Sequence, residues 1–111
     1  MTLIELSSGD QLKSFLQNNV VGVVTFSAHW CGPCKASKPQ LEALAKTSKV
    51  PVSIVHESDI GDYLHTFSVR AFPTYILFHN GNELQRIEGV NLQGVQDTIN
   101  GHADTVGPTM P

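Results

Sequence analysis

The sequence is short of several things, and each shortage excludes something. It has two cysteines in 111 residues, too few for the disulfide framework of a small secreted miniprotein. It has no surplus of positive charge: seven Lys and Arg stand against ten Asp and Glu, a formal net charge of −3. Binding through nucleic-acid phosphates needs a basic footprint, so no nucleic-acid partner is expected. No apolar run approaches the roughly 18 residues of a membrane span, so no membrane partner is expected either. The segment Met1–Glu5 has neither the basic stretch nor the apolar core of an export signal, and a cytoplasmic location is the expectation. Charged residues are 15% and hydrophobic residues 41% of the chain, the balance of a folded domain. Repeats and low-complexity blocks are absent. The length suits one domain with one core.

What is present alternates between strand and helix signals. Residues 3–6 read as a short strand. Ser8 followed by Gln11 has the spacing of a capping box, and Leu12, Phe15 and Leu16 then recur on one helical face up to Asn18 and Asn19. Residues 20–26 form an unbroken β-branched and aromatic run, the pattern of a central strand buried on both faces. A helix is expected from Cys34 to about Lys46, kinked at Pro39, with Leu41, Leu44 and Ala45 inward. Residues 52–55 read as a second inner strand. Ile60, Leu64 and Phe67 suggest a short helix. Residues 74–78 read as a third strand, joined by an Asn80-Gly81 hairpin to a partner over 83–88 in which Arg86 must find a way to solvent. Asn91 caps a last helix with Leu92, Val95 and Ile99 inward. The β-α-β-α-β-α-β-β-α order predicts an α/β fold: a central mixed sheet, parallel then antiparallel, with helices on both faces. Residues 1–102 are read as the domain and 103–111 as a flexible tail or the start of a linker.

The two cysteines are Cys31 and Cys34, a single C-x-x-C pair at the junction of the central strand and the kinked helix. A helix start carries unpaired amides and the positive end of the helix dipole. A Cys31 thiolate there is stabilised and its pKa should fall; the thiolate is the attacking species in thiol–disulfide exchange. Cys34, one turn inside, is expected to be shielded yet within bonding reach. Gly32 lets a partner backbone approach and Pro33 stiffens the turn. A zinc site is the rival reading. Zinc usually takes four ligands, and there is no second C-x-x-C. The histidines His29, His56, His65, His79 and His102 are scattered, without a pair at metal-binding spacing, so no metal is expected. His29 could act as a substitute base or tune Cys31; the plainer reading is an exposed loop residue. The other four are read as surface.

The run Trp30-Cys31-Gly32-Pro33-Cys34-Lys35 resembles the active-site signature of the thioredoxin family. Pro39 is similar to the family's kinking proline, residues 69–74 to the segment with its cis-proline, and Gly89-Val90 to its small-residue turn beside the site. The resemblance spans about residues 3–102 and implies the thioredoxin fold. It implies Cys31 as nucleophile, Cys34 as resolving cysteine, Trp30 as a cover, and a cis Pro73 against the sulfurs. Phe72, Pro73, Gly89 and Val90 would line, with Trp30, a shallow groove that pairs with a substrate strand. The implied activity is protein-disulfide reduction, with disulfide-containing proteins as substrates and a reductase, thioredoxin reductase, upstream. No prosthetic group is needed and a monomer is expected. Gly32-Pro33 is similar to the reducing members, since oxidising isomerases usually carry Gly-His there.

Two positions depart from the pattern. Thr25 stands where the family usually has a buried Asp that serves, through water, the resolving thiol. Ile54 stands where a Lys often pairs with that Asp. A hydroxyl does not titrate near neutrality, so resolution by Cys34 is expected to be affected more than attack by Cys31. Ser27 replaces a second Trp of many members, which should leave that side smaller and more polar. These departures keep a second reading open: a thioredoxin-like interaction module of a longer protein, with weak or altered redox activity.

Overall fold

The computed structural model describes residues 2–106, the last four by backbone alone. The elements are β1 (Ile4–Leu6), α1 (Gly9–Asn18), β2 (Val21–Ser27), α2 (Gly32–Thr47), β3 (Val52–His56), α3 (Glu57–Ile60), α4 (Tyr63–Thr66), β4 (Thr74–His79), β5 (Asn82–Glu88) and α5 (Leu92–Val106). The strands form one sheet in the order β1-β3-β2-β4-β5. β3 is parallel to both β1 and β2, while β4 runs antiparallel to β2 and to β5. The mixed sheet read from the sequence is the sheet observed.

The unbroken apolar run of β2 is explained by its central place. Its side chains alternate between two layers. Val23 joins Leu41, Leu44 and Ala45 of α2 and Val95 and Ile99 of α5, with Ile54, Tyr75 and Leu77 from the flanking strands. Val24 and Phe26 face the opposite layer, with Leu12 and Phe15 of α1 and Ile76 and Phe78 of β4. Thr25 lies between Val24 and Phe26 and therefore on the α2 side, opposite Ile54 on β3 and Tyr75 on β4.

Helix α1 starts where the cap signal placed it. The Ser8 hydroxyl accepts the Gln11 amide at 3.1 Å, but the Gln11 side chain accepts from the amide of Ser7, not from that of Ser8 as in a standard capping box. Helix α2 begins two residues earlier than expected, at Gly32, with Pro33 in its first turn, where a missing N–H costs nothing. Pro39 sits inside it on an exposed face. The single helix expected from Ile60, Leu64 and Phe67 is two separate turns, α3 and α4. Gly61 breaks it at φ 52°, a conformation that ends a helix and suits glycine. All three apolar side chains still reach the α1 layer. The hairpin is as expected, with Asn80 at φ 53° and Gly81 at φ 80°. The Asn91 side chain accepts the Gly94 amide at 2.9 Å and caps α5. That helix continues to Val106, four residues past the expected domain limit; residues 107–111 of the expected tail lie outside the described residues.

Arg86 finds its exit by bridging. Its guanidinium donates to the Glu83 carboxylate and to the backbone carbonyls of Phe67 and Ser68, the latter at φ 54°. The link ties β5 to the turn after α4. Replacing it by methionine keeps the apolar stem and strips donors from two carbonyls. Arg86→Met is expected to cost about 1–3 kcal/mol in urea unfolding, and an unchanged midpoint would show the link to be idle.

Candidate active site

The parallel strand β2 delivers the chain to the start of α2 through a tight turn in which the Cys31 amide donates to the Ala28 carbonyl at 3.1 Å. Cys31 is the N-cap of α2. Its sulfur accepts the Cys34 amide at 3.2 Å and its carbonyl accepts the Lys35 amide at 3.2 Å. Cys31 and Cys34 are joined as a disulfide, with Cα atoms 5.3 Å apart. The expected difference in shielding is absent in this oxidised state, since Cys31 is 5% and Cys34 6% exposed. The sulfurs differ in bonding instead. Cys31 Sγ holds the helix-start amide and lies 3.7 Å from the carbonyl oxygen of Phe72, a contact its thiol can turn into a hydrogen bond when reduced.

Residues 72–73 and 89–90 lie close to the disulfide. The Phe72–Pro73 peptide bond is cis and Pro73 is fully buried. Phe72 packs with Ala28, Cys31 and Cys34. The Pro73 carbonyl accepts the Gly89 amide at 2.8 Å, which draws the Gly89-Val90 turn alongside; Gly89 sits at φ 86°, where a side chain would strain the backbone. Arg70 and Glu88 form a two-pronged ion pair across this turn, which raises the guanidinium pKa and holds the carboxyl below its ordinary value. Trp30 is 70% exposed, its ring meeting Phe72 edge-on at 5.6 Å and its indole N–H reaching the Glu57 carboxylate at 3.3 Å. Val90 is likewise exposed. Apolar surface thus lies open around a covered disulfide, linked through Phe72 and Pro73.

The departures sit as follows. Thr25 is buried, and its hydroxyl is the buried side-chain polar atom without a hydrogen-bond partner among the described residues. Ile54 pairs with it across β2 and β3 as expected. Ser27 corrects an expectation: it is 3% exposed, so it offers no polar side to the groove.

One association was not legible in the sequence. The rings of His29 and His56 stack at 3.9 Å, 8° from parallel. His56, expected on the surface, is half-buried, and burial followed by the nearby His29 lowers its pKa. The two residues are 27 apart in sequence and share no local motif. The signal lies in the register of β2 with β3, which puts Ser27 beside His56 and so brings the residue two places after Ser27 to it.

The thioredoxin family profile matches residues 4–101. Thioredoxin of Echinococcus granulosus is 32% identical over 102 residues, covering 91% of this chain and 95% of that protein. Thioredoxin of Chlamydia pneumoniae is 33% identical over 103 residues, covering 91% of this chain and all of the relative. Among solved structures, a reduced Schistosoma mansoni thioredoxin pre-protein superposes with a TM-score of 0.85 at 30% identity, over 91% of this chain and 98% of that one. A fold shared along nearly the whole length, and a cysteine pair closed into a disulfide at a helix start, meet in one conclusion. The chain belongs to the thioredoxin family and is a dithiol–disulfide oxidoreductase.

Proposed function

We propose that the protein reduces disulfides in protein substrates, with Cys31 attacking and Cys34 resolving. The observation that carries this reading is the placement of Cys31 Sγ between the Cys34 amide at the start of α2 and the carbonyl of Phe72. The amides and helix dipole favour the thiolate. The Cys31 thiolate attacks one substrate sulfur, forms a mixed disulfide, and the other substrate sulfur leaves as a thiolate. The Cys34 thiolate then attacks Cys31 Sγ, restores the Cys31–Cys34 disulfide, and releases the second substrate sulfur. Two electrons and two protons pass to the substrate.

A substrate strand pairs with the backbone beside Phe72, while Trp30, Gly89 and Val90 supply an apolar, sequence-tolerant surface. Gly32 keeps the approach open: a Cβ built there meets nothing within 4 Å. A reductase of the thioredoxin-reductase type returns electrons to the disulfide, and the chain works as a monomer. The Gly-Pro pair between the cysteines favours the reducing direction and a reducing compartment such as the cytoplasm.

The test is insulin reduction with a dithiol as electron source. The wild type accelerates precipitation of the insulin B chain and Cys31→Ser does not; equal rates for the two would sink the redox reading and favour the interaction module. A finer expectation concerns the cover. Trp30→Ala should raise KM for insulin several-fold while hardly changing the rate with a small aromatic disulfide, because only the protein substrate reaches across the indole. Equal losses on both substrates would assign Trp30 to the chemistry and not to docking.

A further inference from the structure

We propose that His29, His56 and Asp59 form a binding site for a zinc-class divalent cation, separate from the redox sulfurs and beside the Trp30 edge of the groove. The three residues come from different parts of the chain: the loop after β2, the last position of β3, and α3. One ligand atom of each lies within 4.8 Å of the others. A tetrahedral zinc ion holds nitrogen and oxygen ligands at about 2 Å, which requires ligand atoms roughly 3.3 Å apart. With separations of up to 4.8 Å, the cluster has to close by at most about 1.5 Å to meet that geometry.

The rotation falls on His29. Imidazole lone pairs lie in the ring plane, and the rings are stacked nearly parallel at 3.9 Å, so one must turn before both can aim at one ion. His56 is half-buried at the end of its strand, whereas His29 and Asp59 are exposed. An anchored imidazole between two free ligands is an arrangement that adapts to an ion without backbone movement. Two imidazoles with one carboxylate suit zinc and its neighbours; magnesium and calcium prefer all-oxygen sites. Water completes the coordination. Glu57 next to His56 is engaged with the Trp30 indole, so it is a link to the groove and not a fourth ligand.

The disulfide makes the test clean, because oxidised sulfurs cannot bind the ion. The oxidised full chain is titrated with Zn2+ by calorimetry in a non-chelating buffer. One ion per chain is expected, with affinity weakened by at least about tenfold in His29→Gln and in His56→Gln and unchanged in His65→Gln. Trp30 is the only tryptophan, so Cu2+ should quench its fluorescence with the same stoichiometry and the same sensitivity to the variants. His29→Gln changes an exposed loop side chain and its stacking on His56 but touches no core residue, and an unchanged Tm separates loss of a ligand from loss of fold. Absence of saturable binding at millimolar Zn2+ overturns the proposal. So does binding that survives both histidine variants, or binding that appears only after the cysteines are reduced.

Discussion

Cys34→Ser is expected to turn the protein from a catalyst into a trap. Cys31 keeps the backbone amide of residue 34 at the helix start and its place beside Phe72, so it still attacks a substrate disulfide. The serine hydroxyl cannot displace the substrate sulfur, and the mixed disulfide persists until an external thiol reaches it. Insulin reduction should fall to near background. Intact mass under non-reducing conditions should show one covalent substrate chain per protein, released by excess dithiol. Cys31→Ser should show neither turnover nor adduct. The asymmetry follows from bonding and position, since the two sulfurs are equally covered in the disulfide: Cys31 at the N-cap accepts the Cys34 amide and lies beside the Phe72 carbonyl, whereas Cys34 is within the first turn of α2. Wild-type turnover in Cys34→Ser, or trapping by Cys31→Ser, would reverse the assignment of roles.

Much of this arrangement was legible in the residues because the local rules and the tertiary structure agree. The run 20–26 had no alternation, and β2 is covered on both faces. Ser8, Asn91 and Asn80-Gly81 are signals whose physics is complete within a few residues, and each acts where it stands. The interval 57–66 misled because Ile60, Leu64 and Phe67 keep helical spacing across Gly61; they pack on one core from two separate turns. The cis bond before Pro73 could not come from propensity, since about nineteen in twenty X-Pro bonds are trans; only the family resemblance pointed to it. The meeting of His29 with His56, and the lack of a partner for the Thr25 hydroxyl, depend on strand register and packing. Neither is written in any window of the sequence.

The second large effect is expected at Thr25. Its hydroxyl is buried without a partner among the described residues, an arrangement that costs about 1–3 kcal/mol relative to a bonded one. Thr25→Val keeps the branched shape, removes the unpaired group, and should stabilise by about 1 kcal/mol, or about 4 °C in Tm for a domain of this size. Thr25→Asp restores the acid usual in the family but not its surroundings. The position faces the α2 layer, paired with Ile54 and Tyr75, both members of the apolar cluster under that helix. The neighbouring Tyr75 phenol is pushed above its ordinary pKa by burial and is no counter-ion. An ionised Asp there would be uncompensated, a penalty of about 3–5 kcal/mol, so the carboxyl should stay protonated well above the ordinary carboxylate range. Adding Ile54→Lys opposite it should recover part of the loss, whereas Ile54→Lys alone should destabilise. Urea unfolding of the four variants therefore ranks Thr25→Val first, wild type next, the double variant third and the single charged variants last. Kinetics should separate in the same set: Thr25→Asp changes the resolution step and the titration of Cys34 more than the attack by Cys31. A destabilised Thr25→Val would mean that the hydroxyl is bonded in solution, and equal effects on both steps would mean that position 25 does not act through Cys34.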